Sequence, residues 1–428
     1  MAQYLRTLPA VRAQSVKVLA KAERGEASNF VFHPDAIPAV VSYVAQIISR
    51  DYEPNYSAIP SHGRWQHFDV GGISRVDQLV AEFGDQVDRV EVARRLVDLF
   101  VVSVLLDAGA GNQWTYTEPG TGNVYSRSEG LAVASLYLFK SGALSSAPEN
   151  KYQVDAKALS NITIDTITTA LQHGPINELS GAEGRAELLQ RLGVALASSK
   201  QFFGPDGRPG NLVDYLKTQA DSSNKVNVTV LWNVLMDGLG PIWPKGRTVL
   251  DGVSLGDAWN ISTLSNEPIE ADRIVPFHKL SQWLCYSIVV PIEKYAGIEI
   301  TNKELQTGLP EYRNGGLFVD FGVLQLKPGV LKRGIEAAKA LGGGESHDDD
   351  AIVPVFSAYD DVIIEWRALT VGLLDRLLPE INAYLKIDLS LPQLLEAGSW
   401  TGGREIAATK RPDTKGPPIA IQSDGTLF

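Results

Sequence analysis

The residues best equipped for chemistry are carboxylates set in aromatic and glycine-rich text: Asp69, Asp107, Glu129, Asp251, Asp257, Glu311, Asp320 and Glu365. Two stretches gather other polar groups. In RIVPFHKLSQWLCYS (273–287), Val275-Pro276 predicts extended backbone, after which Leu280, Trp283, Leu284 and Ile288 recur at helical spacing. On that helix Gln282 lies three or four residues from Lys279 and His278, so an imidazole, an ammonium and an amide share one side. In PEYRNGG (310–316), Glu311, Arg313 and Asn314 fall in a turn-forming loop, the kind of segment that carries function when a rigid scaffold positions it. The plainer account is that His278 and Lys279 cap a helix start and that Arg313 pairs with Glu311 on the surface. Acids beside Trp and Arg suit hydrolysis of a glycosidic bond. There one carboxylate stabilises an oxocarbenium-like state while another group handles the proton or the water. The residues alone do not select which acid does what.

Other chemistries lack their motifs. The chain has no H-E-x-x-H or cysteine-rich metal spacing and no G-x-S-x-G nucleophile elbow. GPIWPKGRT (240–248) has the order Lys-Gly-Arg, not that of a phosphate loop, though Lys245 and Arg247 remain able to meet an anion. The GAG at 109–111 is too short for a dinucleotide fingerprint. His347, with Asp348–Asp350 after it, reads as a solvated loop. The expectation is therefore cofactor-free chemistry without a metal. In SHGRWQHFDVGG (61–72), His67 and Asp69 serve either a site or a buried hydrogen-bond network. Glu129 has a similar choice, since Ser126 or Ser128 predicts a helix cap and the helix dipole favours an acid there.

The elements that must position these groups are mostly helices. Periodicity predicts them over 3–23, 38–48, 74–83, 88–106, 162–171, 181–197, 331–341 and 360–378. DLFVVSVLL (98–106) is apolar nearly all round, so its helix is buried and delivers Asp107 at its end. Strand patterns are few, and the predicted fold is a single, large, mainly α domain over residues 1–428. Residues 342–350 are expected to form a mobile polar insertion, and residues 412–428 an extended C-terminal segment. With 44% hydrophobic and 21% charged residues, the composition is that of an ordinary globular protein. A net charge of −11 disfavours nucleic acid and anionic membranes as partners. No apolar run approaches the ~18 residues of a membrane span. Cys285, the only cysteine, reads as a small buried hydrophobe in a reduced, cytoplasmic protein.

Eight blocks together resemble a known family: GRWQHFDVGG, SVLLDAGAGNQWTY, RSEGLAVASL, IWPKGRTVLDG with LGDAW, VPFHKLSQWLCYS, TGLPEYRNGGLFVDFGVL, EWRALTVGLLDRL and PPIAIQSDGTLF. They resemble the fourth-protein family of the non-reductive uracil catabolic route, from about residue 63 to the C-terminus. That route makes the uracil nucleotide, opens the ring and passes through a ribosylurea-type intermediate. The resemblance implies a step after ring opening, namely release of urea from ribosylurea or its 5′-phosphate. EWRALTV (365–371) is also similar to a Glu-x-Arg-Ala-x-Thr-Val stretch of the queuosine-nucleotide hydrolases, helical N-glycosidases, which implies a DNA-glycosylase-like core. FHKLSQWL (277–284) is similar to their D-Y-R-V-P-Q-x-L motif: Lys279 stands for its arginine, Gln282 matches its glutamine, and its aspartate falls on Phe277. Asp257 in GDAW is similar to a second aspartate of that family.

The expected activity is hydrolysis of the N-ribosyl bond of a small ribosyl or ribosyl-phosphate substrate. Asp257, Glu311 or Asp107 is placed at the anomeric carbon. Arg313, Lys279 and His278 are placed at a 5′-phosphate, and Asn314 and Gln282 at urea or ribose hydroxyls. Glu129, Asp320 and His67 complete the substrate-binding set. Two alternatives carry different products or none: an amidohydrolase acting on the ureido group, and a non-catalytic partner of the pathway enzymes.

Overall fold

A computed structural model describes residues 1–107, 109–110, 113–243, 246–342 and 352–422. Lys245, His347, the predicted insertion beyond Gly342 and the last six residues of the predicted C-terminal segment lie outside the described residues. The chain forms two compact units, each assembled from discontinuous pieces. The first comprises Met1–His62, Arg247–Lys279 and residues 304–422; the second comprises Gly63–Gly246 and Leu280–Lys303. Both are mainly helical.

The first unit is built on the helix Asp361–Leu385, started by the Asp360 side chain, which accepts from Val362 N. Its residues from Val362 to Leu374 are buried all round, so it packs on the helices Leu8–Glu23 and Ile37–Tyr52 at once. Gly372 lets Leu19 of the former come close. The predicted helix ended at Leu378, before Pro379, yet the observed one runs on to Leu385 and stops where Lys386 takes a left-handed conformation, φ 57°. Buried Leu377 and Ile381 on either side of the proline keep that last stretch packed. The N-terminal helix predicted over 3–23 is two helices, Ala2–Leu5 and Leu8–Glu23. Thr7 between them is the N-cap and accepts from Ala10 N, with Pro9 in the first turn.

In the second unit the helix Arg89–Leu105 is the buried axis. It contacts the helix Arg127–Lys140, the turn Pro209–Asn211 and the π-helical turn Ile292–Ala296. Asp98, fully buried on it, accepts from Arg208 Nε (2.7 Å) and Gly210 N (2.7 Å) and so fastens the 209–211 turn. That close approach needs glycine, since a Cβ at Gly210 would collide with the Arg94 backbone. Gly210→Ala is expected to destabilise the protein by about 1–3 kcal/mol, because helix backbone cannot swing aside as a side chain can. Gly184→Ala is the control. It lies in the helix Ala182–Ser198 with open space around it, and up to about 1 kcal/mol of stabilisation is expected. Guanidinium chloride unfolding of both variants checks the contrast; an unchanged midpoint for Gly210→Ala would show that the turn yields.

Strands serve only as clips between loops. All described sheets are two-stranded. In the first unit Phe30–Phe32 pairs antiparallel with Leu324–Leu326, and Ala258–Asn260 with Ile274–Pro276. The predicted extended tail pairs in parallel, Ala420–Gln422 with Val355–Ser357. In the second unit Thr115–Thr117 pairs with Val124–Ser126, and Lys225–Asn227 with Glu299–Thr301. No described helix is long and apolar enough to cross a membrane.

Candidate functional site

Each unit gathers part of the expected residue set. In the first unit the hairpin 258–276 brings its two ends together, so the Asp257 carbonyl accepts from both Phe277 N (2.9 Å) and His278 N (3.2 Å). The Asp257 carboxylate is fully enclosed. It takes both Nη atoms of Arg367 (2.8 and 2.7 Å), Trp259 Nε1 (2.8 Å) and Lys279 N (3.0 Å). The Arg367 guanidinium carbon lies over the Phe277 ring, 4.0 Å from its centroid. Burial alone would raise the Asp257 carboxyl, but the charge and bonds of Arg367 outweigh it and hold the group well below the usual carboxylate range. His278, with φ at 47°, has Nε2 2.8 Å from the Leu5 carbonyl, and that acceptor fixes a proton on Nε2. Burial pushes its pKa down, so it is a neutral donor inside the fold, not an anion-holding cation. Lys279, next in the chain, keeps part of its side chain accessible.

Glu311 is the N-cap of the helix Tyr312–Asp320 and accepts from Arg313 N (2.7 Å) and Asn314 N (2.5 Å). The expected surface pair between Glu311 and Arg313 is thus replaced by a backbone cap. Glu311 retains some accessible surface although protein atoms surround it densely. Burial pushes its carboxyl up; the two N–H donors and the charges of Lys279 and Arg313 oppose this without cancelling it. Asn314 is fully buried and used at both ends, donating to the Leu309 carbonyl (3.1 Å) and accepting from Ser399 Oγ (2.7 Å). Asp320 closes the helix through a bidentate pair with Arg411 (2.8 and 2.6 Å). Both residues therefore hold the helix in place. Gly315 seats against the long helix, its carbonyl accepting from Trp366 Nε1 (3.1 Å). Glu365 anchors another loop, accepting from Ser28 N (2.7 Å), Asn29 N (2.6 Å) and Thr263 Oγ1.

In the second unit the centre is Arg64, which the sequence shows only as part of GRWQHF. It is completely buried, and burial pushes its pKa down against the charges of Asp107 and Glu129. Its guanidinium binds Asp107 Oδ2 (2.9 Å), Ser103 Oγ (2.8 Å), the Ser103 and Ser128 carbonyls (3.2 and 3.1 Å) and His67 Nδ1 (3.1 Å). A guanidinium only donates, so Nδ1 accepts and neutral His67 carries its proton on Nε2. The His67 ring lies 5.4 Å from that of Trp283, and Gln282 beside Trp283 is fully buried. Arg185 donates to the carbonyls of Leu106 (3.1 Å), Gly109 (3.2 Å) and Ser180, holding the chain around Asp107. The structure thus joins Asp107, His67 and Glu129 through Arg64. Ser126 occupies the N-cap position of the helix Arg127–Lys140 but its side chain makes no cap bond, so the predicted serine cap is not what starts that helix. Cys285 is buried, and burial pushes its thiol up, as an inert core group requires.

Sequence reading missed Arg64, Arg185 and the pairing of Arg367. For Arg367 the available signal was a charge inside a helix otherwise apolar all round, EWRALTVGLL, because such a charge must find a partner.

Residues 4–428 match the family described as a protein of unknown function, DUF1688. The chain is 50% identical over 436 residues to Uracil catabolism protein 4 of Lachancea kluyveri, covering 99% of this chain and 98% of that protein. It is 45% identical over 429 residues to Protein urg3 of Schizosaccharomyces pombe, with the same coverage of 99% and 98%. The chain belongs to this family.

Proposed function

We propose that the chain is a hydrolase of uracil catabolism that cleaves the N-ribosyl bond of ribosylurea or its 5′-phosphate and releases urea. The place in uracil catabolism follows the name of its relative from Lachancea kluyveri. The choice of bond rests on one observation, the setting of Glu311. Urea is a very poor anionic leaving group, so a C1′–N bond to it breaks only as the nitrogen receives a proton. Glu311 is a carboxyl that burial inclines to keep its proton, with accessible surface remaining and cationic Lys279 and Arg313 nearby. Asp107 is the rival acid, but its carboxylate is already engaged by buried Arg64, 2.9 Å away.

Glu311 then acts in both directions. Water adds its oxygen to C1′ as the C1′–N bond breaks, and the bonding pair leaves with the urea nitrogen, which takes the Glu311 proton. The proton shed by the water returns to Glu311. Ribosylurea and water give ribose and urea. Lys279 and Arg313 bind the substrate, while Asp257, Asn314 and Asp320 position the backbone that carries them.

Purified protein incubated with ribosylurea and its 5′-phosphate is expected to release urea from at least one of them, followed by a coupled assay. Consumption of neither removes the glycosidase reading. The pH profile gives a second test. Since Glu311 lies above its ordinary value, ~4.3, its acid form persists beyond that pH, and kcat is expected to fall as pH rises through the raised value. Any stability the protonated group contributes is likewise full below the ordinary value and lost through the raised one. A kcat that stays flat across that window would remove Glu311 as the acid.

A further inference from the structure

Arg313 is 8% exposed, yet among the described residues its guanidinium has no hydrogen-bond acceptor and no carboxylate within ion-pair distance. Glu311, two residues away, is turned to the helix N–H groups instead. What faces Arg313 is aromatic: the Tyr312 ring at 5.3 Å and the Trp400 ring at 6.0 Å. Ring faces attract a cation but accept no ordinary hydrogen bond, so the donors of a nearly buried fork are left at a cost. The backbone beneath is fixed. Gly403 lets the helix Thr401–Lys410 press on the Arg313 main chain, where a Cβ would strike its carbonyl. The next residue, Asn314, is tied to Leu309 and Ser399. A fork held this way and withdrawn from solvent is preset to meet negative charge. Its place says which charge. Arg313 and Glu311 start the same helix, and the Glu311 carboxyl feels the charge of Arg313. The group that meets Arg313 is therefore the one that Glu311 protonates, the leaving group.

We propose that Arg313 is a catalytic residue, whose fork binds the carbonyl oxygen of the ureido group and stabilises the negative charge that gathers there as the C1′–N bond breaks. This rests on the hydrolase reading and adds to it a second contact with the leaving group. The bonding pair moves onto nitrogen and spreads through the amide to oxygen. Two guanidinium N–H groups donate to that oxygen, while the Glu311 proton settles on nitrogen and neutral urea departs. Arg313 gives up no proton, since a guanidinium stays charged in proteins. The oxygen carries less charge in the bound substrate than in the departing urea. The contact therefore strengthens in the transition state and acts on kcat.

Ribosylurea and ribosylthiourea, each with and without a 5′-phosphate, are the substrates, and kcat and KM are measured for the wild type, Arg313→Met and Arg313→Lys. On the urea compound Arg313→Met is expected to lower kcat about 10²- to 10³-fold, the usual loss of a preset donor to a developing oxyanion, with KM little changed. On the thiourea compound the same variant is expected to lose about 10-fold or less, because sulfur accepts hydrogen bonds weakly and disperses the charge itself. Arg313→Lys keeps the charge without the fork and is expected to fall between wild type and Arg313→Met. Arg313→Met removes a nearly buried charge that has no counter-charge, so its melting temperature is expected to hold or rise and a lost kcat is not lost fold. Equal losses on oxygen and sulfur substrates would reduce Arg313 to a structural part and overturn the proposal. A loss confined to KM of the phosphorylated compounds would also overturn it, by moving Arg313 to the sugar phosphate. Both outcomes leave the hydrolase reading standing. Release of neither urea nor thiourea by the wild type removes that reading, and the proposal with it.

Discussion

Glu311→Gln is expected to lower kcat for urea release by about 10²- to 10⁴-fold, the usual contribution of a positioned general acid. Gln has no proton to give a departing nitrogen at any pH of interest, so the loss is expected to persist across the pH range. Binding of ribose 5-phosphate should stay close to that of the wild type. The fold cost is small by comparison: one oxygen still accepts from the first turn of Tyr312–Asp320, and a weakened N-cap costs about 1 kcal/mol. A pre-steady-state urea burst measured on folded variant separates the two effects. Near-normal kcat would pass the role of acid to another group, with Asp107 the first to examine.

The largest effect on stability is expected at Asp257. Asp257→Asn leaves the Arg367 guanidinium buried without its counter-charge, and breaking such a pair costs about 3–5 kcal/mol. The same principle expects much of that loss to be recovered when Arg367→Met is added, since a pair replaced by apolar groups often costs little. Guanidinium chloride unfolding of the two single variants and the double variant measures this. Because Asp257 is held below its ordinary pKa, its contribution is complete above that ordinary value and lost as pH falls through the depressed one, so it is undiminished at neutral pH. An unchanged unfolding midpoint accompanied by lost turnover would instead place Asp257 in the reaction.

These two carboxylates mark what the sequence allowed. Glu311 stood in PEYRNGG beside turn residues and a fork-shaped cation, all within a few positions, and the local text was enough to make it a candidate alongside Asp257 and Asp107. Asp257 also stood out, in LGDAW, but its meaning depended on Arg367, 110 residues later, and a contact of that separation leaves no local trace. Separation along the chain likewise hid the link between Arg64 and Asp107, though the apolar run ending at Leu106 did place Asp107 at the tip of a buried helix. His278 was placed at a phosphate or a helix start because its Leu5 partner lies 273 residues away in the chain. Helices were legible through their 3.6-residue period, with boundaries shifted by a few residues at prolines and caps. Strands were not, because pairs of two or three residues are too short for alternation to appear.

The identity of the bond that breaks can be read directly. Ribosylurea 5′-phosphate labelled with carbon-13 at the ureido carbon, incubated with the wild-type protein and followed by NMR, should yield labelled urea and ribose 5-phosphate. Labelled carbon dioxide and ammonia, with the C1′–N bond intact, would contradict cleavage at the anomeric carbon and make the chain an amidohydrolase.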